Sequence, residues 1–144
     1  DRMDSVDPTI ERRLNAGIDI TGVDYYTSVR TLERLNGVIC DRLRHVDALV
    51  VPTVVHTPPT VEEVKDIDDY FVANGLMTQN TQPINMLALC GVTIPVALDK
   101  AGMPVGLQLV GASGTEERVL STALACERLF GTARERFGVP PLLK

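Results

Sequence analysis

"GMPVGLQLVG", residues 102–111, decides the fold. The stretch alternates as a strand does, yet it places three glycines and one proline in ten positions. Glycine weakens a strand interior, so its presence predicts that another backbone or a ligand sits close against this one. Immediately upstream, "VTIPVAL" is a β-branched run, and "DKAG" joins the two as a turn. Together they predict a β-hairpin of residues 92–98 against 104–111. Downstream, Ser113 and Glu116 stand in capping-box spacing before a helix whose Val119, Ala123, Cys126 and Phe130 share one face, with Gly131 as its stop.

Further out the chain alternates helices and one more strand. "PINMLAL", residues 83–89, predicts a short helix with Pro83 in its first turn and Gly91 just past its end. "VDALVVPT", residues 46–53, is a short apolar run closed by a proline, the pattern of a strand buried on both faces in a parallel or mixed sheet. "TVVHTPPT" after it is extended and irregular, and the acidic stretch Val61 to Tyr70 is read as a helix. At the other end, Pro8 opens a short helix that Gly17 stops. Thr21 then starts a longer one, from about Gly22 to Arg44, with Asp24 as a capping-box variant. Val29, Leu32, Leu35, Ile39 and Leu43 recur at spacings of three and four, which predicts a single buried stripe.

The totals bound the function. A length of 144 residues with 44% hydrophobic content suits one globular unit, and no repeat or long linker divides it. No run of about 18 apolar residues is present, and Asp1, Arg2, Met3 and Asp4 lack the features of a signal peptide. The expectation is a soluble, cytoplasmic protein without membrane contact. The net charge of −5, with Arg30, Arg34, Arg42 and Arg44 interleaved with Glu33 and Asp41, gives no basic patch for nucleic acid. Cys40, Cys90 and Cys126 are odd in number and form no C-x-x-C pair, so they read as reduced, small apolar residues.

No catalytic set emerges from the residues alone. Ser5, Ser28, Ser113 and Ser121 sit in no G-x-S-x-G or S-x-x-K context, and Lys65, Lys100 and Lys144 flank no apolar pocket. His45 and His56 are too few and too isolated for a metal site, so neither metal nor cofactor is expected. Cys90 is a small buried residue or an activated nucleophile, and the first reading is favoured. Asp68 and Asp69 are adjacent, so their carboxylates diverge into solvent. The glycines of "GASG", 111–114, form either an anion cradle or a plain strand-to-helix turn; without a P-loop lysine the turn is favoured.

Several motifs in series nevertheless resemble one family. Thr81 and Asn85 form a T-x-x-x-N helix, Pro95 ends a strand, Gly102 to Gly111 spell G-x-P-x-G-x-Q-x-x-G, and Glu116 opens a helix. Asp47, Leu49, Pro52 and Thr53 spell D-x-L-x-x-P-T, with "DPTIERRLNAG" and "DYYTSVR" ahead of them. In this order and spacing the chain resembles the C-terminal portion of the amidase signature enzymes, which hydrolyse or transfer amide nitrogen. Ala88 and Cys90 stand where many members have glycine and proline.

The resemblance implies an α/β fold in which residues 1–144 are one segment of a larger amidase domain, with helices flanking a short mixed sheet and a hairpin at about 92–111. It implies acyl transfer by a serine, a cis-serine and a lysine, none of which has a counterpart here, so the segment alone is expected to be inactive. The partners implied are the remainder of the amidase chain and a small amide substrate. Thr53, in the loop leaving a strand, is placed on one wall of the substrate cleft, and Asn85 is the next candidate. For each a structural role is equally open, Thr53 satisfying a loop amide and Asn85 bracing backbone. A glutamyl-tRNA amidotransferase A-type subunit and a non-catalytic interaction module on the same scaffold are the rival readings. Open edges left by a missing part predict a homo-oligomer, and Gln108 is expected to be a buried amide in need of partners.

Overall fold

The structure, a computed structural model, describes residues 5–139. Residues 1–4, on which the reading against a signal peptide rests, and Lys144 lie outside the described residues.

Helix α1 (Pro8–Asn15) begins where Asp7 accepts from the backbone N–H of Thr9. Helix α2 (Gly22–Leu43) begins at Thr21, whose hydroxyl accepts from the N–H of Asp24 at 3.1 Å, the predicted cap. Strand β1 (Leu49–Pro52) follows, then the irregular loop, a 3-10 turn (Glu62–Val64) and helix α3 (Ile67–Thr78). The acidic stretch is thus a turn leading into a helix that starts later than predicted. Asp66 sets its start, because its carboxylate caps the N–H of Asp68. Arg12 of α1 stacks on the Phe71 ring at 4.5 Å and pairs with Asp68 at 2.5 Å, joining α1 to α3.

Helix α4 (Gln82–Met86) is shorter than predicted. It ends at Leu87 and Ala88, the latter at φ 50°, and strand β2 (Cys90–Leu98) already contains Gly91. The left-handed stop is therefore Ala88, and Gly91 is a strand residue. Strand β3 (Pro104–Gly111) completes the hairpin, with Gly91 opposite Val110, Thr93 opposite Gln108 and Leu98 opposite Pro104. Gly102 at φ 80° turns the chain between them, a conformation open to glycine without penalty.

The sheet order is β1-β3-β2 and both pairings are antiparallel, so among the described residues no parallel ladder makes the sheet mixed. Strand β1 lies at an edge, with Val50 54% exposed, and is not buried on both faces. Its apolar run resembles a central strand only because local pattern carries no record of what packs on either side. The other edge, β2, is interrupted and capped near its end. A register shift between Pro95 and Ala97 bulges β2, and helix α6 (Ala133–Phe137) brings Arg136 to donate to the carbonyls of Pro95 and Val96.

Helix α5 (Glu116–Phe130) covers one face of the sheet, where Leu109, Val119 and Ala123 form the core with Val92 and Ile94 against them. Gly131 stops α5 at φ 85°, as predicted, but Thr115 is the N-cap and no side chain caps the helix. Ser113 is turned away toward the end of α4, as described below. Phe130, predicted on the buried face, is 43% exposed. The stripe on α2 is also only partly covered. Leu43 is buried and Val29, Leu32 and Ile39 are half-buried, while Leu35 is exposed.

Candidate functional site

The glycines of the opening stretch are explained by what stands above them. A Cβ on Gly106 would meet Thr53 Oγ1 at 2.6 Å and Thr93 Cγ2 at 2.7 Å. Strands β1 and β2 are separated by β3, yet Thr53 Oγ1 donates to Thr93 Oγ1 at 3.2 Å across the bare Gly106. Thr53 N–H also continues the ladder to the Gly106 carbonyl at 2.9 Å. Gly111 is filled from the other side, since a Cβ there would overlap Val119 Cγ2 and stand 2.6 Å from Thr115 Oγ1. Side chains, rather than another backbone, occupy both spaces.

This places the sequence-predicted residues. Thr53 is half-buried and held by its bond to Thr93, and Asn80 Nδ2 donates to the carbonyl of Pro52 beside it at 2.7 Å. Asn85 is exposed in α4, with its N–H bonded to the Thr81 carbonyl. No hydrogen bond between the described residues joins Thr53 to Asn85. Two clefts lie near them. One of about 490 Å³ lies between the loop after β1 and α3 and is lined by His56, Thr57, Glu63, Asp69 and Leu76. The other, of about 450 Å³, lies between α2 and the end of α4 and is lined by Leu32, Asn36, Met86, Ala88 and Ser113. Neither lining includes Thr53 or Asn85.

The possible nucleophiles are occupied. Ser113 Oγ donates to the Ala88 carbonyl at 2.6 Å and accepts from Asn36 Nδ2 at 2.8 Å. Asn36 Nδ2 also reaches the Leu87 carbonyl at 2.6 Å, so the pair rivets α2 to the stop of α4. Cys90 Sγ points to the Ala112 carbonyl at 3.2 Å and packs against the core. A hydroxyl whose proton is committed to a carbonyl, with no base beside it, is not an activated nucleophile. His56, which lines the first of these clefts, donates from Nδ1 to the Thr57 carbonyl at 2.7 Å. Among the described residues no three His, Cys, Asp or Glu side chains gather to hold a metal ion, and no helix is long and apolar enough to cross a membrane. Asn36 and Thr93 escape a sequence reading because neither belongs to a motif, and only the packing of distant segments gives them partners.

The strained stop of α4 yields a measurable expectation. Ala88 at φ 50° carries roughly 1 kcal/mol of left-handed strain that glycine avoids. Ala88→Gly is expected to raise stability by no more than about 0.6 kcal/mol once the roughly 0.4–1 kcal/mol of added unfolded-state entropy is subtracted, read as a melting point a degree or two higher.

Asp99 organises the hairpin turn. Its carboxylate accepts from Thr57 Oγ1 at 2.5 Å and from the N–H groups of Ala101 and Met103 at 2.8 Å each. The Thr57 hydroxyl first, then these N–H groups, hold its pKa below the ordinary 3.8. A lowered folded pKa means that the stabilisation is complete above about pH 4 and is lost as pH falls through the folded value. Asp99→Ala is expected to lower the melting point at neutral pH, with the gap to the parent chain narrowing as the pH falls below about 4. A gap that stays constant with pH would contradict this role.

A family model described as Amidase matches residues 3–120. The chain therefore belongs to the amidase family. It is 32% identical over 141 residues to the 2-amino-5-chloromuconic acid deaminase of Comamonas testosteroni, covering 98% of this chain and 30% of that protein. It is 29% identical over 136 residues to the A-type subunit of the glutamyl-tRNA(Gln) amidotransferase from Geobacter sp. strain M21, covering 88% and 27% respectively. A crystal structure of an amidase superposes with a TM-score of 0.73 at 32% identity, covering 89% of this chain and 30% of that one. The chain thus spans about 30% of the length of these relatives.

Proposed function

We propose that these 144 residues are the C-terminal portion of an amidase that hydrolyses carbon–nitrogen amide bonds, and that the serine nucleophile, the bridging cis-serine and the lysine lie elsewhere in the polypeptide. The observation that carries the reading is surface. The chain exposes 10623 Å², whereas a self-standing folded protein of 15.7 kDa exposes about 7300 Å². Much of the excess is apolar, as at Ile18, Ile20, Val23, Tyr25 and Tyr26, all more than half exposed. A larger domain would cover it.

In this reading the serine attacks the amide carbonyl, the lysine and cis-serine move its proton, and backbone N–H groups hold the oxyanion. The present chain supplies the three-stranded sheet, its covering helix and one wall of the cleft for a small amide. Thr53 and Asn85 are the residues proposed for that wall, and no cofactor takes part. The protein is cytoplasmic, and separated from its remainder the segment self-associates through its apolar surface.

The test is release of ammonia from a panel of simple amides by this chain and by a polypeptide extended upstream. Activity only in the longer protein is the expected result. Turnover by the 144 residues alone would overturn the reading.

A further inference from the structure

Helix α3 contributes nothing to the core cluster of Leu109, Val119 and Ala123. Four of its residues, Asp69, Val72, Ala73 and Leu76, instead line the cleft of about 490 Å³ that faces the loop after β1. They follow one another at helical spacing and so share one side of α3. The carboxylate stands at the N-terminal end of that side, and the apolar strip runs on from it for about 10 Å. Val72 is 66% exposed, so the strip is open to a ligand.

The opposite wall is held in place before anything binds. Thr57 donates to Asp99 in the hairpin turn at 2.5 Å, and Pro58 and Pro59 restrict the chain that follows. Glu63 accepts from the N–H and the hydroxyl of Thr60 at 2.7 and 2.8 Å. His56 is turned onto its own loop by its bond to the Thr57 carbonyl.

The cleft is negative as well as apolar. The neighbouring cations are committed elsewhere, Arg12 to Asp68 and Lys65 to Glu62, each at 2.5 Å. Glu63 and Asp69, which line the cleft, have no ion pair among the described residues. The Thr60 N–H first, then the Thr60 hydroxyl, hold the Glu63 pKa below the ordinary 4.5, so this carboxylate is ionised at neutral pH. Against two carboxylates, the N-terminus of α3 sets only about half a positive charge. Two negative groups beside an apolar strip attract a cation with an apolar stem and repel an anion. They also oppose covering of the cleft by apolar surface, because an unpaired carboxylate is costly to desolvate.

We propose that this cleft binds primary alkylammonium ions, with the ammonium on the carboxylates of Glu63 and Asp69 and the stem on Val72 and Leu76. Binding here requires no catalytic group, so it is independent of whether the complete polypeptide hydrolyses amides.

The test titrates hexylammonium, hexanoate and hexan-1-ol into the 144-residue chain and into a polypeptide extended upstream, following the methyl resonances of Val72 and Leu76. Saturable shifts with hexylammonium are expected, with a Kd on the order of 1 mM for a ligand of this size, and binding about tenfold weaker for hexanoate at the same ionic strength. Asp69→Asn and Glu63→Gln are each expected to weaken hexylammonium roughly two- to fivefold and to leave hexan-1-ol unchanged. Both residues are exposed, and glutamine still accepts from Thr60, so the fold is kept. Hexylammonium binding no tighter than hexan-1-ol, or indifferent to both substitutions, would overturn the site. Loss of binding in the extended polypeptide would overturn it as well, by showing that another part of the chain fills the cleft.

Discussion

Gly111→Ala is expected to destabilise the chain by about 3 kcal/mol, the upper range for overpacking a filled interior. The added methyl would overlap Val119 Cγ2 and come within 2.6 Å of Thr115 Oγ1 and 3.2 Å of Cys90 Sγ. None of these can yield cheaply. Val119 is 2% exposed and belongs to the core cluster, Thr115 Oγ1 is bonded to the Ala112 carbonyl at 2.8 Å, and Cys90 Sγ reaches the same carbonyl. Relief would require α5 to lift from β3, and that contact is most of the small core. For a domain whose whole stability is of order 10 kcal/mol, the loss reads as a melting point roughly 10 °C lower. A variant melting within about 2 °C of the parent chain would show that α5 is not seated on Gly111 as described.

Gly106→Ala is expected to cost about 2 kcal/mol by a different route. Here the obstacles are Thr53 Oγ1 at 2.6 Å, Thr53 Cβ at 3.1 Å and Thr93 Cγ2 at 2.7 Å. Threonine side chains can rotate, so the clash is relieved in part, but only by breaking the hydroxyl bridge between the two edge strands. The double substitution Gly106→Ala with Thr93→Ser separates the two contributions, because it removes the Thr93 methyl carbon that would stand 2.7 Å from the added carbon. Serine keeps the hydroxyl and removes the methyl, giving Oγ a freer rotation. Recovery of at least half of the lost stability in the double variant is expected, and an additive loss would place the cost elsewhere.

Local chemistry was legible wherever a residue acts on its own neighbours. The cap at Thr21, the stop at Gly131 and the hairpin from residue 92 to 111 depend on one or two torsions and on ladders between nearby segments, which the residue types specify directly. Ser113 and Glu116 had the spacing of a capping box, but the Ala88 carbonyl and the Asn36 amide claimed the serine hydroxyl. A pattern in sequence names a possible bond, and competition in three dimensions decides which bond forms. The same holds at β1, where apolar residues in series suggested burial and the sheet order left them at an edge.

The candidate site divides along the same line. Thr53 was singled out for its place after a strand, and the structure gives its hydroxyl to Thr93. Gln108 was expected to need partners, and within the described residues its oxygen has none. By itself the sequence determined the order of elements, their local stops and starts, and the need for bare positions at Gly106 and Gly111. Only the tertiary structure decided what fills those positions, which hydroxyls are committed to backbone, and which faces remain uncovered. The physical reason is range: torsional preference and capping act over a few residues, while burial and hydrogen-bond partnership are settled by segments that meet from 40 to 77 positions apart, as Thr53 meets Thr93 and Asn36 meets Ser113.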